Sequence, residues 1–517
     1  MEALRRFPAT PLALLVGLAG GVAFTLGSAQ TSPVMALAGL IGLGAVLFLL
    51  REPVLGLYLL AAMVPIERFG RFSDDTAVFE ISIMRVAGMV VFLLLLIHCV
   101  LRGHRMVITA PLVIWTVYVA IALISLTYSS DLKGGQQIAG GAAGNIMFML
   151  TISSLVYADD FDEMVHRAKI AIICWLAASA AVCAYSIYDW HFGSGGVGGI
   201  PIDSVDPQAG AQLLEHKWST VWLDTAEEGL SGLSLRRSMG STSHAAVFGI
   251  NLLMSIPFFV YFIKISRGNL MKGLMLIGLA ATLYCLLLTN TRAVILIAIP
   301  TFGLCMLRGM IPFRGWMILA GLVVGCGSLL ILPADIFNRI LNVQNYEVGN
   351  SDAMRVRFEY WEAGFRAIFD NWATGVGVGN RLVMLSYLRR PIEGHSTMHN
   401  IYLQTALDVG LFGWLAFIGY ILTTLFQTEK LIKGLRREGG QTDAYWMAVS
   451  AEVLILTVII FGFQVDVFFF PLKAWWLVAS LMGAFYLRVF RPLGARAPAM
   501  QTPDLVLGWH RDASTAV

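Results

Sequence analysis

Long apolar runs separated by short polar punctuation recur along the chain, at 12–28, 34–50, 53–66, 83–98, 109–127, 142–158, 168–186, 243–263, 271–288, 292–308, 313–332, 401–425, 446–463 and 468–487. A helix needs about 20 apolar residues to cross the hydrocarbon core of a bilayer, and a helix satisfies every backbone polar group there internally. The pattern therefore predicts an all-α, polytopic helical bundle of about fourteen transmembrane helices. The runs at 53–66 and 83–98 are the weakest, with Pro65 and Arg85 near their ends. The first run, after MEALRRFPAT, lacks a separate small-residue cleavage site and reads as a retained helix. Most interruptions are short, but two are long. They divide the chain into N-terminal membrane helices (1–186), an outer loop (187–242), central helices (243–332), a second outer loop (333–400), C-terminal helices (401–487) and a tail (488–517).

Charge supports this division and orients it. With Arg5 and Arg6 in the cytoplasm, alternate loops bring Arg51, then Arg102 and Arg105, then Arg167 and Lys169 back to the same side. So do Lys264, Arg267 and Lys272, then Arg308 and Arg314, the cluster Lys430, Lys433, Arg436 and Arg437, and finally Arg488, Arg491 and Arg496. Short basic loops stay cytoplasmic, so both termini are expected inside and both long segments outside. Hydrophobic residues make up 57% of the chain and charged residues 13%, against about 25% charged in soluble domains, which excludes a soluble protein. A net charge of +3 gives no reason to expect a nucleic-acid partner. The six cysteines fall in or beside apolar runs without metal-ligand spacing and read as small packing residues, so no metal site or disulfide framework is expected.

The outer segments carry the polar chemistry. The first contains the Gly-rich HFGSGGVGG and ends in LRRSMGSTSH. In the second, Met354, Phe358, Trp361, Phe365 and Phe369 recur at helical spacing, while Arg355 with Glu359 and Glu362 with Arg366 lie four apart. This is an amphipathic helix on the outer membrane face or packed over the bundle. GVGVG follows at 375–379, where glycine allows a tight backbone path close to a ligand. No strand-turn-helix unit surrounds it, so it is not a dinucleotide fingerprint. Next comes GHSTMHN, which places His395, His399 and Asn400 at the mouth of the run beginning at Ile401.

Arginines on the translocated side run against the charge bias and need a reason. Many in the second loop have acidic partners nearby. Arg292 has no acidic residue within ten positions, and a charge at a membrane edge is costly unless paired or facing a polar cavity. Arg237 stands at a second helix mouth. Converging guanidinium groups suit a phosphate or diphosphate, and a lipid diphosphate is the anion expected at this depth. If that diphosphate carried a sugar, the arginines would hold the leaving group. A base would then deprotonate the incoming hydroxyl, and His399 fits that role. The plainer alternative for His399 is a helix cap or interfacial anchor.

Three stretches, TNTRA (289–293), RFEYWEAGFRAIFDNWATGVGVGN (357–380) and HNIYLQTALDVGLFG (399–413), resemble the O-antigen ligase and polymerase superfamily of bacterial envelope polysaccharide assembly. The family elements read here as Thr291-Arg292-Ala293, Arg357-x-x-x-Trp361 with Gly375 and Gly377, and His399-Asn400-x-x-Leu403 with Gly410 and Gly413. Thr291 stands where serine is commoner. The resemblance covers mainly residues 230–415. It implies an inner-membrane enzyme with a periplasmic site, transferring undecaprenyl-diphosphate-linked glycan by inverting chemistry without metal, nucleotide or other cofactor. The loop histidine would act on the acceptor and arginines would grip the diphosphate. These roles fall on His399 and Arg292, with Arg237, Arg357, Trp361, Gly377, His395 and Asn400 as substrate-binding candidates. The acceptor would be another lipid-linked glycan for a polymerase, or lipid A core or protein for a ligase. The long outer segment at 187–242 and the number of spans favour a polymerase, with membrane lipids and a chain-length regulator as further partners. A transporter of the same lipid-linked sugars would call for internal repeats and mid-membrane charges. No repeat is evident. A purely structural scaffold would have no use for unpaired outer arginines.

Overall fold

The structure is a computed structural model that describes residues 48–66, 83–192, 221–224, 235–238, 240, 242, 245–289, 291–312, 350–380, 383, 386–388, 398–439, 442–464 and 472–490. Its helices are α1 (Val54–Met63, extended by a 3₁₀ turn, Val64–Ile66), α2 (Ile83–Arg102), α3 (Ala110–Ser125), α4 (Leu132–Val156) and α5 (Phe161–Phe192). After a strand pair come α6 (Ala245–Ile265), α7 (Asn269–Leu288), α8 (Arg292–Leu307), α9 (Asn350–Asp370), α10 (Ile401–Gly439), α11 (Asp443–Phe461) and α12 (Lys473–Phe490). Among the described residues, seven helices are long and apolar enough to cross a membrane, with shorter apolar helices at Val54–Ile66, Ala110–Ser125 and Ala293–Leu307. This is a helical multi-pass membrane protein. Every predicted run from 53–66 onward has a described helix except 313–332. That run, 12–28 and most of 34–50 lie outside the described residues, as does the tail beyond Phe490.

Local sequence accounts for several helix starts. Thr109 accepts from the Leu112 amide ahead of α3, with Pro111 in the first turn, Asp131 from Gly134 ahead of α4 at 2.9 Å, and Thr442 from Tyr445 ahead of α11. The α4 start corrects the sequence reading, which began this run at 142. The stretch LKGGQQIAGG is too polar and too glycine-rich for a hydropathy window, yet small residues are what helices use to approach one another inside a membrane.

The helices alternate so that the short basic loops share one end of the bundle. Lys169 pairs with Asp443 at 2.5 Å, and Arg488 Nε donates to the Asp159 carbonyl at 2.9 Å. Lys264 donates to the Gly309 carbonyl at 2.6 Å and lies 3.9 Å from the Trp446 ring centre, while His104 meets the Ser154 carbonyl at 3.0 Å. Near this end Arg308 also pairs with the buried Glu452.

At the other end stands a two-stranded antiparallel pair, β1 (Val221–Asp224) with β2 (Leu235–Ser238), in register Trp222 opposite Arg237. Strand β2 packs against α6 and α7. Sequence analysis placed no strand in this segment; it is a small addition to an otherwise helical architecture.

Helix α10 departs most from its sequence reading, which took 401–425 as one span. Gly410 has φ 65° and ψ −167°, and the chain reverses there. The rings of Tyr402 and Phe417 stand 6.3 Å apart, whereas fifteen residues of straight helix would separate them by about 22 Å. The first half, 401–409, thus folds back along the second. Its lower end is tied to the C-terminus of α11: Ile401 N donates to Gly462 O at 2.9 Å and Tyr402 Oη to Ile459 O at 2.7 Å.

Glycine is required at the reversal. A Cβ on Gly410 would stand 2.5 Å from the Ala373 carbonyl oxygen, on top of a cost of about 1–3 kcal/mol for a backbone conformation open essentially to glycine alone. Gly410→Ala should therefore lower the thermal midpoint in detergent and the yield of monodisperse protein. Gly419→Ala, on the straight half with its nearest contact at 3.6 Å, should leave both close to wild type. Equal behaviour of the two variants would contradict this account of the turn.

Candidate functional site

The corner around His399 is built from three elements. His399 has φ 48°, the single positive φ at a non-glycine residue among those described. Histidine tolerates this region better than most side chains, but the conformation persists only where its surroundings impose it. Both flanking residues do so. Asn400, almost fully buried, accepts from the amides of Tyr402 at 3.0 Å and Leu403 at 3.2 Å, capping α10. On the other side Met398 is completely buried, and its carbonyl accepts from Trp361 Nε1 on α9 at 2.8 Å. The Met398 side chain rests where a Cβ on Gly364 would come within 2.6 Å of it, among Tyr360, Ala363, Ala367, Val376 and Leu407. Helix α9 is thus amphipathic as expected, and it packs along the folded-back half of α10. Phe358, Phe365 and Phe369 remain exposed on its other side.

The start of α10 uses up its own amides. Ile401 N goes to Gly462, and Tyr402 and Leu403 to Asn400, so the helix terminus has no free N–H to offer a phosphate. The first turn of α10 is therefore not itself an anion site.

The GVGVG stretch approaches other backbone. Val376 N and Gly377 N donate to the carbonyls of Leu407 at 2.8 Å and Asp408 at 3.0 Å, which the reversal at Gly410 frees from helical bonding. Leu411 N donates to Trp372 O at 2.8 Å. A Cβ on Gly377 would lie 2.8 Å from Ser129 Cα, and one on Gly379 would lie 2.3 Å from Gly135 N. Polar residues of the α3–α4 connection complete the clamp. Ser125 accepts from Val378 N at 3.1 Å, Ser129 donates to Val378 O at 2.9 Å, and Tyr128 donates to Thr374 O at 2.7 Å. Sequence reading missed this partner strip; TYSSD between two apolar runs was its only signal. Beside the clamp, burial raises the phenol pKa of Tyr360, and burial followed by Asp370 raises that of Tyr387, so both rings remain neutral at pH 7.

The arginine candidates come to the same end by topology. Arg292 is the first residue of α8, after Thr291, whose hydroxyl donates to Thr289 O at 3.0 Å. A cation in the first turn runs against the helix dipole, so its placement there is not explained by helix stability. Helices α8 and α11 lie antiparallel, joined by Thr301 and Thr457 hydroxyls 3.1 Å apart. This puts the Arg292 end of α8 beside the end of α11 that holds Ile401. Arg237 occupies β2, next to the start of α6, where Gly249 packs on Val294 of α8. Arg357 lies on α9 one turn before Trp361. His395 lies outside the described residues.

Fold and site define a polytopic helical membrane protein in which His399 and the backbone positions of Arg237 and Arg292 lie toward the end of the bundle opposite its basic loops. Residues 276–418 match the family model described as O-antigen ligase, and this match supports the O-antigen ligase and polymerase superfamily for the chain. It covers the C-terminal part of α7, then α8, α9 and the turn of α10, and with them Arg292, Trp361, Gly377 and His399; Arg237 falls outside it. No curated protein matches the chain. The family supports a membrane glycosyltransferase-type activity, with a lipid-linked glycan and an acceptor as partners in general terms.

Proposed function

We propose that this protein polymerises undecaprenyl-diphosphate-linked oligosaccharide units into surface polysaccharide at the periplasmic face of a bacterial inner membrane. The placement of His399 and of the helix and strand positions that carry Arg292 and Arg237 toward the end of the bundle away from the basic loops supports this reading. In the reaction, an acceptor hydroxyl gives its proton to neutral His399 while its oxygen attacks C1 of the donor sugar. The C1–O bond to the diphosphate breaks with inversion at that carbon, and the lipid diphosphate departs with its charge held by Arg292, Arg237 and Arg357. Cationic side chains suit this task because the first amides of α10 are already engaged. Attachment of the finished glycan to lipid A core or protein would use the same attack and differs only in the acceptor.

The acceptor is decided by reconstitution. Purified protein given only lipid-linked repeat units extracted from the source cells should yield a ladder of chain lengths. Product formed only after lipid A core or acceptor protein is added would make the enzyme a ligase. Translocation of the units without any new glycosidic bond would make it a transporter.

A further inference from the structure

We infer that Trp361 is a positioning residue for the base: its indole holds the peptide that carries His399 and does not bind substrate. This deepens the glycosyl-transfer reading above and rests on His399 acting as the base. The indole N–H is spent on the Met398 carbonyl at 2.8 Å and is not available as a donor to a ligand. That carbonyl belongs to the peptide joining Met398 to His399, so the bond bears directly on the residue at φ 48°. Indole is also suited to the task as a rigid, partly apolar donor that can reach a carbonyl from within a hydrophobic cluster.

The anchors on the two sides of His399 differ in kind. Asn400 and the Ile401–Gly462 bond fix the chain after His399. Before it, Met398 is held by burial against Gly364, Tyr360 and Ala363, and by the Trp361 hydrogen bond. Burial is non-directional and sets where Met398 lies, whereas the hydrogen bond from Trp361 orients the plane of its peptide. With that bond lost, the peptide can rotate and His399 can relax toward negative φ, swinging its imidazole away from the acceptor. Misplacement of a reacting group by about 1 Å costs about 100-fold in rate.

The same helix carries Arg357 one turn before Trp361, so a cation proposed for the donor and the anchor of the base share one rigid element.

The test compares Trp361→Phe, which keeps an aromatic ring without a donor, with Trp361→His, which has a smaller ring and an N–H. Both are assayed as full-length protein in lipid nanodiscs, with the extracted lipid-linked units as substrate. Trp361→Phe should lower kcat by about 10- to 100-fold, with KM for the donor within about twofold of wild type. Trp361→His should recover part of kcat although it packs less well. A packing role would rank Phe above His, and a substrate contact would raise KM while sparing kcat; either outcome overturns the inference. His399→Asn is measured alongside. If it turns over like wild type, the base reading itself falls. If it is inactive while Trp361→Phe keeps wild-type kcat, only the positioning role falls.

Discussion

Replacing His399 with Asn should reduce glycan transfer by about 100- to 10,000-fold, the usual contribution of a positioned general base. Asn is the informative replacement because, like His, it tolerates the left-handed region that residue 399 occupies at φ 48°. Ala would confound the loss of the imidazole with a backbone free to relax. The capping bonds of Asn400 and the Trp361–Met398 bond should survive the change, so protein abundance and donor binding should stay near wild type. The pH dependence of the wild-type enzyme separates two roles for the ring. A base must be neutral, so the rate should rise with pH as histidine deprotonates, around pH 6.5 for an ordinary imidazole. A rate that falls across that range would instead make His399 a cation on the diphosphate. Transfer by His399→Asn at the wild-type rate, with defined donor and acceptor, would remove the residue from the mechanism.

Neutralising Arg292 should have the next largest effect. Arg292→Gln is expected to lower turnover of lipid-linked donor by about 100- to 1,000-fold, because negative charge grows on the diphosphate as the C1–O bond breaks. Arg292→Lys should restore only part of this, since an ammonium keeps the charge but loses the bidentate fork. Arg292 opens α8, where the helix dipole disfavours a cation, so its removal should not destabilise the fold. A thermal midpoint that falls in step with activity would point to a structural ion pair. Unchanged turnover by Arg292→Gln would end its assignment to the leaving group.

Much of the architecture was legible in the order of residues. Runs near 20 apolar residues must become membrane helices because bilayer hydrocarbon offers no partner to an exposed peptide group. Among the described residues, basic side chains that oriented those runs lie together at one end of the bundle, as Lys169, Lys264 and Arg488 demonstrate. The amphipathic helix between the central and C-terminal membrane helices was readable from the spacing of Phe358, Trp361, Phe365 and Phe369, and it forms as α9. The motif residues Arg292, Trp361 and His399 could be named from local pattern, because type and spacing suffice to suggest chemistry.

What they touch could not be read from that pattern. Hydropathy treats 401–425 as uniformly apolar and has no term for a glycine that reverses a helix, so the fold-back at Gly410 and the ring contact of Tyr402 with Phe417 were invisible. The glycines of GVGVG invited a ligand, since close backbone approach looks alike in sequence whatever approaches. In the fold it is α4 and the carbonyls freed by the Gly410 turn that do so, from tens to hundreds of residues away in the chain. The partner of the Trp361 N–H, the Met398 carbonyl, is likewise absent from the local pattern. The sequence by itself determined which segments enter the membrane and which residues carry charge or a titratable ring. Only the tertiary structure decided the partners of those residues, because a hydrogen bond or a steric exclusion between distant segments depends on distances that no local pattern encodes.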